Sequence, residues 1–159
     1  MASVGFTGTR KGMTLAQEAL VIDILKSEDF TEYHHGDCVG ADKQFHKLIT
    51  DKYKRSGMYY GTHPTSFPII VHPPDNDKHR AFCKEGKILK QKPYLKRNKD
   101  IVDSCDLLIA CPNPKDEINK LRSGTWSTIR YAKKQGKDII IIMWGKENVW
   151  TIKRTNTEN

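Results

Sequence analysis

Leu107, Leu108, Ile109, Ala110 and Cys111 form an unbroken apolar run in the second half of the chain. A strand that is apolar on both faces is typical of the middle of a parallel sheet, where helices cover it from both sides. Ile139–Met143 form a second run of this kind. The two runs therefore predict the two central strands of the fold.

Shorter strand patterns and amphipathic helix patterns alternate around these runs. The alternation predicts a single Rossmann-like α/β domain, with a parallel sheet of about five strands and helices on both faces. We expect the domain to span residues 1–150, and residues 151–159 to be a polar C-terminal tail that frays. The predicted strands are 3–7, 30–34, 69–72, 107–111 and 139–143, and the predicted helices 14–26, 45–53, 93–103 and 123–136, with a short helix around 78–83.

The composition is that of a soluble globular protein, with 37% hydrophobic and 29% charged residues. The N-terminus lacks the pattern of a signal peptide and the longest apolar run is too short to cross a bilayer, so we expect a cytoplasmic protein without membrane contact. His34, His35 and Cys38 lack a fourth ligand at a suitable spacing, so we expect no metal and no cofactor. We also expect a homo-oligomer.

The formal net charge of +8 is unevenly distributed, because seven cations and one anion, Glu85, lie between Lys84 and Lys99. Such an excess is compatible with nucleic-acid binding, with an anionic small ligand or with a solvated lysine-rich face. Of the two possible partners, nucleic acid and an anionic small ligand, nucleic acid is the less favoured.

Loops at the predicted carboxyl ends of the strands carry residues suited to an anionic ligand, and ligands of open parallel sheets bind at that edge. After the first strand, Gly8 permits a close approach of the backbone, Thr9 offers a hydroxyl and Arg10 a guanidinium. Pro73 closes the third strand at the same edge. Ser123, Gly124 and Thr125 begin a helix after a central strand, which suits a phosphate, although Ser123 also suits a plain helix cap.

The loop after the second strand has the same character. We assign five of its residues to the ligand site: His35, Gly36, Asp37, Gly40 and Asp42. Asp42 either stabilises the N-terminus of the following helix or grips ribose hydroxyls, and the pattern leaves both open. On the predicted helix after Pro93, Tyr94, Arg97 and Asn98 share one face through their spacing, and we add them to the site.

The motifs at residues 5–10, 35–42, 94–110 and 123–128, taken in order and spacing, resemble the SLOG superfamily. These are Rossmann-like domains that include the DprA/SMF core, LOG-type phosphoribohydrolases and small stand-alone or sensor domains for nucleotide-derived ligands. The resemblance covers residues 3–145. It implies a parallel sheet of about five strands and a nucleotide site built from these loops, with Arg97 facing the ligand and residues 123–125 as the phosphate loop.

The chain departs from the hydrolases of that superfamily at their catalytic motif, Pro-Gly-Gly-x-Gly-Thr-x-x-Glu. Leu121 and Arg122 occupy the places of the paired glycines, and Thr128 occupies the place of the glutamate. A sugar that develops oxocarbenium character needs a nearby carboxylate, which Thr128 cannot supply. This argues against catalysis of that type.

Three hypotheses follow for function. The first is a binding domain that senses, carries or sequesters a nucleotide-derived molecule, such as an ADP-ribose-like or cyclic nucleotide signal, and is not an enzyme. The second is an N-glycosidic-bond hydrolase or transferase acting on nucleotides, with Asp37 or Asp42 as a relocated catalytic carboxylate. The third is a DprA-like nucleic-acid binder, but Tyr94 is the lone aromatic within the lysine-rich run.

Overall fold

The computed structural model describes residues 2–56, 64–113, 115, 123–144 and 150–155. The helices and strands, in chain order, are β1 (Ala2–Gly8), α1 (Leu15–Ser27), β2 (Phe30–His35), α2 (Ala41–Arg55), β3 (Ile69–Val71), β4 (Lys87–Ile88), α3 (Tyr94–Ser104), β5 (Leu107–Cys111), α4 (Gly124–Lys134), β6 (Asp138–Trp144) and β7 (Trp150–Thr155). Short 3₁₀ turns lie at Pro64–Ser66 and Asp77–His79. None of the described helices is both long and apolar enough to cross a membrane.

The strands form one sheet in the order β4-β3-β2-β1-β5-β6-β7. All neighbours pair in parallel except β6 and β7, which are antiparallel. The sheet confirms the predicted Rossmann-like α/β class. The chain builds one half of the sheet outward from β1 and then returns to β1 to build the other half, so the strand order reverses between β1 and β5. In open α/β sheets this reversal opens a crevice at the carboxyl edge.

The parallel part of the described sheet has six strands, so the prediction of about five was too low. The additional strand, β4, has only two residues, both exposed, which pair with Ile70 and Val71 of β3. A two-residue edge strand has too few positions to show any hydrophobic period, which is why the sequence pattern did not predict it. Residues 151–155, expected to be part of a fraying tail, pair through their backbone with β6.

The side chains of β5 alternate between two cores, as the apolar run predicted. Leu107, Ile109 and Cys111 lie in a core that includes buried residues of α1 and α2. Leu108 and Ala110 lie in a second core that includes buried residues of α3 and α4. Every residue of the strand is buried, so helices do cover both faces of the sheet.

Helix α1 begins with a capping box of Thr14 and Gln17, in which each side chain accepts a hydrogen bond from the other residue's backbone N–H. Gln17 itself is fully buried, and its Nε2 donates to the carbonyls of Pro112 and Ile142. Helix α1 therefore attaches through an amide to the ends of β5 and β6. A buried amide needs hydrogen-bond partners, and Gln17 finds them where its face of α1 lies against the sheet. Ala19, on another face of the helix, is exposed.

Four buried histidines form two pairs across β2. Nδ1 of His34 lies 2.9 Å from Nε2 of His72, and Nε2 of His35 lies 2.8 Å from Nδ1 of His46. Burial lowers the pKa of all four rings, and that of His72 falls to about 4. The folded protein therefore holds these rings neutral at pH 7.

We predict that acidification destabilises the fold between about pH 6.5 and pH 4. In the unfolded chain His72 binds a proton below its ordinary pKa of 6.5, whereas the folded protein binds it only near pH 4, so stability is lost as the pH falls through this window. The loss from His72 alone is about 3 kcal/mol. Urea unfolding at a series of pH values should show a shallower pH dependence for His72→Asn than for the parent. Asp42, whose raised pKa acts in the opposite direction, is common to both proteins and cancels. Parallel pH curves would contradict the prediction.

Candidate ligand-binding cleft

A cleft of about 440 Å³ opens at the carboxyl edge of the sheet, where the strand order reverses between β1 and β5. This volume lies within the range of about 300–1,000 Å³ that small-molecule sites usually have. The lining comes from the segments after β1, β2 and β5, from the 3₁₀ turn at Asp77–His79 and from the starts of α3 and α4. Its residues are Gly8, Thr9, Arg10, Lys11, Val39, His79, Tyr94, Asn113, Ser123, Gly124 and Thr125. Two of the loops that the sequence singled out, residues 8–10 and residues 123–125, thus meet in one cavity.

The N-terminus of α4 forms one wall of this cleft. The Ser123 hydroxyl accepts a hydrogen bond from the backbone N–H of Trp126, so Ser123 does act as the helix cap. The backbone N–H groups of Gly124 and Thr125 donate to no other residue in the described part of the chain. Free amides at the positive end of a helix dipole favour an anion.

Arg10 and Lys11 supply positive charge to the lining of the cleft. The Arg10 side chain is exposed, and its guanidinium forms no hydrogen bond or ion pair with the described residues. Lys11 beside it is exposed as well. The loop itself is held rigidly, because the Thr9 carbonyl accepts from the N–H groups of both Gly12 and Ala41. An ordered loop therefore presents an uncommitted guanidinium to the cleft.

Arg97, the arginine that the family resemblance implied would face the ligand, lies under the cleft and is 3% exposed. Its Nη1 donates to the carbonyls of Gly36 and, at 3.3 Å, His72, and both Nη atoms lie 3.7 Å from the Cys38 thiol. Its Nε donates to Asn98. The guanidinium also lies 4.8 Å from the centre of the Tyr94 ring. Its donors are thus used within the protein, and Arg97 supports Tyr94 rather than lining the cleft.

Asp42 lies in the same layer beneath the cleft. It is 7% exposed, accepts a hydrogen bond from the backbone N–H of Cys38, and borders a cavity of only about 20 Å³ together with Arg10 and Tyr94. Burial raises the pKa of Asp42 to about 6, against the lowering effect of the Arg97 charge. The carboxyl group is therefore near the cleft without being open to it.

Asp37 points away from the cleft into the protein. Its carboxylate is fully buried and accepts from Arg80 Nε at 2.8 Å and from the backbone N–H of Cys83 at 2.9 Å. Its backbone φ of 54° lies in the left-handed region, which a short polar side chain tolerates better than most. Asp37 thus fastens residues 80–83 onto the end of β2.

A hydrogen-bonded chain of histidines accounts for His35. The backbone N–H of Asp37 donates to His35 Nδ1, so the proton of this neutral ring is on Nε2, which donates to His46 Nδ1. His46 Nε2 in turn lies 3.4 Å from the Glu85 carboxylate. His35, His46 and Cys83 form a group whose potential metal-ligating atoms lie within 4.8 Å of one another. Since Nε2 of His35 carries its proton, it has no lone pair for a metal in this arrangement.

Two of the predicted site glycines make room for the protein's own side chains. A Cβ on Gly36 would lie 2.6 Å from Arg97 Nη1, and a Cβ on Gly124 would overlap the Tyr94 hydroxyl. These glycines therefore allow Arg97 and Tyr94 to pack against the backbone. The missing side chains at Gly36 and Gly124 leave the space that Arg97 and Tyr94 occupy.

Gly8 and Gly40 have the same role at the base of the Arg10 loop. A Cβ on Gly8 would lie 2.6 Å from that of Ala41, and a Cβ on Gly40 would overlap the carbonyl of Arg10. Gly40 also has a φ of 91°, which an L side chain rarely adopts. Glycine at both positions lets the Arg10 loop lie directly on the start of α2.

The structure places the predicted site residues in two layers. Seven line the cleft, namely Gly8, Thr9, Arg10, Tyr94, Ser123, Gly124 and Thr125. Gly36, Asp42, Arg97 and Asn98 border the small cavity beneath it. His35, Asp37, Gly40 and Pro73 line neither cavity.

Four residues of the cleft were not predicted: Lys11, Val39, His79 and Asn113. Lys11 follows Arg10 directly, and Asn113 lies just beyond the end of a central strand, so the rule that located the other loops also applies to them. His79 could not have been found in this way. It lies on a 3₁₀ turn whose position depends on a backbone hydrogen bond from Val39 to the His79 carbonyl.

The chain matches no protein-family model, and no curated protein shows significant sequence similarity to it.

We predict that Arg97→Ala lowers the free energy of unfolding by at least about 3 kcal/mol, because two buried carbonyls lose their donor and buried Asp42 loses a compensating charge. Arg10→Ala should change it by no more than about 0.5 kcal/mol, because the Arg10 side chain is exposed and unbonded within the described structure. Urea unfolding of the two variants and the parent at pH 7.5 measures both values. Equal effects of the two substitutions would show that the buried network is not what holds this edge of the sheet.

Proposed function

We propose that this protein binds a phosphate-bearing small molecule of the nucleotide type in the cleft between β1 and β5. The observation that carries the proposal is that two kinds of unbonded donor line one cavity. Gly124 and Thr125, whose backbone amides have no acceptor among the described residues, line it together with Arg10. Backbone amides at a helix N-terminus and an arginine fork are the usual partners of a phosphate group.

The remaining lining of the cleft has the same polarity. Thr9 and Ser123 add hydroxyls, Lys11 adds an ammonium group, and Asn113 adds an amide. Among the described residues that line this cleft there is no carboxylate. Cations and hydrogen-bond donors in a cavity attract an anion. A carboxylate in the same cavity would oppose that attraction.

The proposal includes membership of the SLOG superfamily, whose implied nucleotide site lies at the same edge of the sheet. It differs from the expectation at one residue, since Arg10 rather than Arg97 is available to the phosphate. The proposal covers a protein that senses, carries or sequesters its ligand. Nucleic-acid binding and a homo-oligomeric state stay predictions.

Binding without turnover is the favoured form of the proposal. Breaking an N-glycosidic bond needs a carboxylate near the sugar and an acid for the leaving base. Thr128, at the position of the superfamily's glutamate, is 3% exposed and donates its hydroxyl to the Gly124 carbonyl. Asp37 is held by Arg80 and Cys83, and Asp42 lies below the cleft.

We predict that Arg10→Ala weakens binding of AMP, ADP-ribose and inorganic phosphate by about ten- to a hundredfold, because one charge-assisted contact is lost. Isothermal titration calorimetry measures the affinities. Arg55→Ala is the matched control, since it removes the same charge from an exposed position. Arg55 is the last residue of α2, whereas the Arg10 loop lies at the start of that helix. An Arg10→Ala protein that binds phosphate as tightly as the control would exclude the cleft as the phosphate site.

We predict no release of free base when the protein is incubated at high concentration with nucleoside monophosphates or ADP-ribose, even where these compounds bind. Chromatography of long incubations detects the base. Release that is lost in both Asp37→Asn and Asp42→Asn would establish the enzyme hypothesis instead. Release that persists in both variants would indicate a contaminating activity.

A further inference from the structure

A second cavity, of about 240 Å³, adjoins the cleft at Tyr94. The two cavities share three residues, Arg10, His79 and Tyr94, so a single ligand can extend from one into the other. The second cavity, hereafter the side cavity, is smaller than most sites for whole ligands, which suits one ring system of a larger molecule. Its other walls are Cys38, Pro74, Asp75 and Asn76.

The side cavity differs from the cleft in its chemistry, because it contains a carboxylate. Asp75 is exposed, and its carboxylate forms no hydrogen bond or ion pair with any residue that the structure describes. Its backbone is fixed, since its N–H donates to the Lys92 carbonyl at 2.9 Å. An ordered carboxylate in a cavity next to an anion site calls for a ligand group that donates hydrogen bonds and bears no negative charge.

Asn76 adds a donor beside this acceptor. Its Oδ1 accepts from the backbone N–H of Lys78, which caps the 3₁₀ turn. The acceptor end of the amide is therefore committed, and Nδ2 remains to donate to a ligand. The partly exposed Tyr94 ring, which is supported from below by Arg97, offers a surface for a planar heterocycle.

We propose that the side cavity holds the base of the nucleotide and that this base is guanine; this inference rests on the proposed function. Guanine presents two adjacent donors, N1–H and the N2 amino group, that match both oxygens of one carboxylate, here Asp75. Its neighbouring O6 accepts a hydrogen bond, here from Asn76. Adenine offers one donor on the corresponding edge, where its N1 is an acceptor and cannot bond to the carboxylate, so it makes one hydrogen bond fewer to Asp75 than guanine does.

The ligand then lies with its phosphate between Arg10 and the start of α4 and with its base beyond Tyr94. Arg10 and His79 border both cavities and so lie near the junction of phosphate and sugar. The carboxylate of Asp75 and the anionic end of the ligand occupy different cavities. This separation removes the repulsion that a carboxylate in the phosphate cleft would cause.

Calorimetry with GMP, IMP, AMP and inorganic phosphate tests the inference. IMP differs from GMP only in lacking the N2 amino group, and we expect it to bind about tenfold more weakly to the parent, the effect of one hydrogen bond to a charged acceptor. In Asp75→Ala, GMP should lose at least tenfold in affinity and its advantage over IMP should disappear, because no acceptor is left for N1–H or the N2 amino group. Asp23→Ala is the matched control, because Asp23 is an exposed carboxylate on α1 that lines neither cavity.

The outcomes separate the two proposals. Phosphate binding that depends on Arg10, combined with equal affinities for GMP, IMP and AMP, would overturn the guanine assignment and leave the proposed function standing. A preference for GMP that survives Asp75→Ala would also overturn the assignment. Failure of inorganic phosphate and all three nucleotides to bind would overturn both.

Discussion

The buried guanidinium of Arg97 is the contact on which the carboxyl edge of the sheet depends. From α3 it reaches the carbonyl of Gly36 after β2 and that of His72 after β3. Gly36 lies 61 residues away in sequence, so no local preference could bring these segments together. A rigid planar cation with five donors fixes several partners in one plane. Tyr94 lies against this cation and takes its place in the cleft wall as a result.

The fold could largely be predicted because burial on both faces leaves a recognisable pattern. In β5 each side chain enters one of two cores, so no position could be polar, and the unbroken apolar run followed directly from the architecture. The strands that were missed lie at the two edges of the sheet. Lys87 and Ile88 of β4 are exposed and pair only through their backbone with β3. Backbone pairing leaves no signature in the side chains, so edge strands of this kind are invisible to periodicity.

The candidate site could be predicted by location but only in part by residue. The rule that ligands bind at the carboxyl edge selected the correct loops, since Gly8–Arg10 and Ser123–Thr125 meet in one cleft. Helical spacing also placed Tyr94 and Arg97 on one face, but spacing does not reveal whether that face meets a ligand or the protein itself. The same ambiguity affects glycine, because a missing Cβ admits a ligand or a neighbouring side chain equally well. At Gly36 the neighbour is Arg97.

The division between layers also bears on chemistry. Asp37 and Asp42, the two acids that the sequence offered as catalytic candidates, are committed to holding the loop after β2: one binds Arg80 and the Cys83 amide, the other accepts from the Cys38 amide. Moving either to a sugar would leave buried donors without partners, at a cost of about 1–3 kcal/mol for each. The described surface of the cleft offers hydroxyls, backbone amides, cations and the His79 ring but no carboxylate. These groups suit a phosphate, but none of them stabilises positive charge at an anomeric carbon as a carboxylate does. The two acids proposed from the sequence therefore belong to the scaffold of this edge of the sheet rather than to the surface of the cleft.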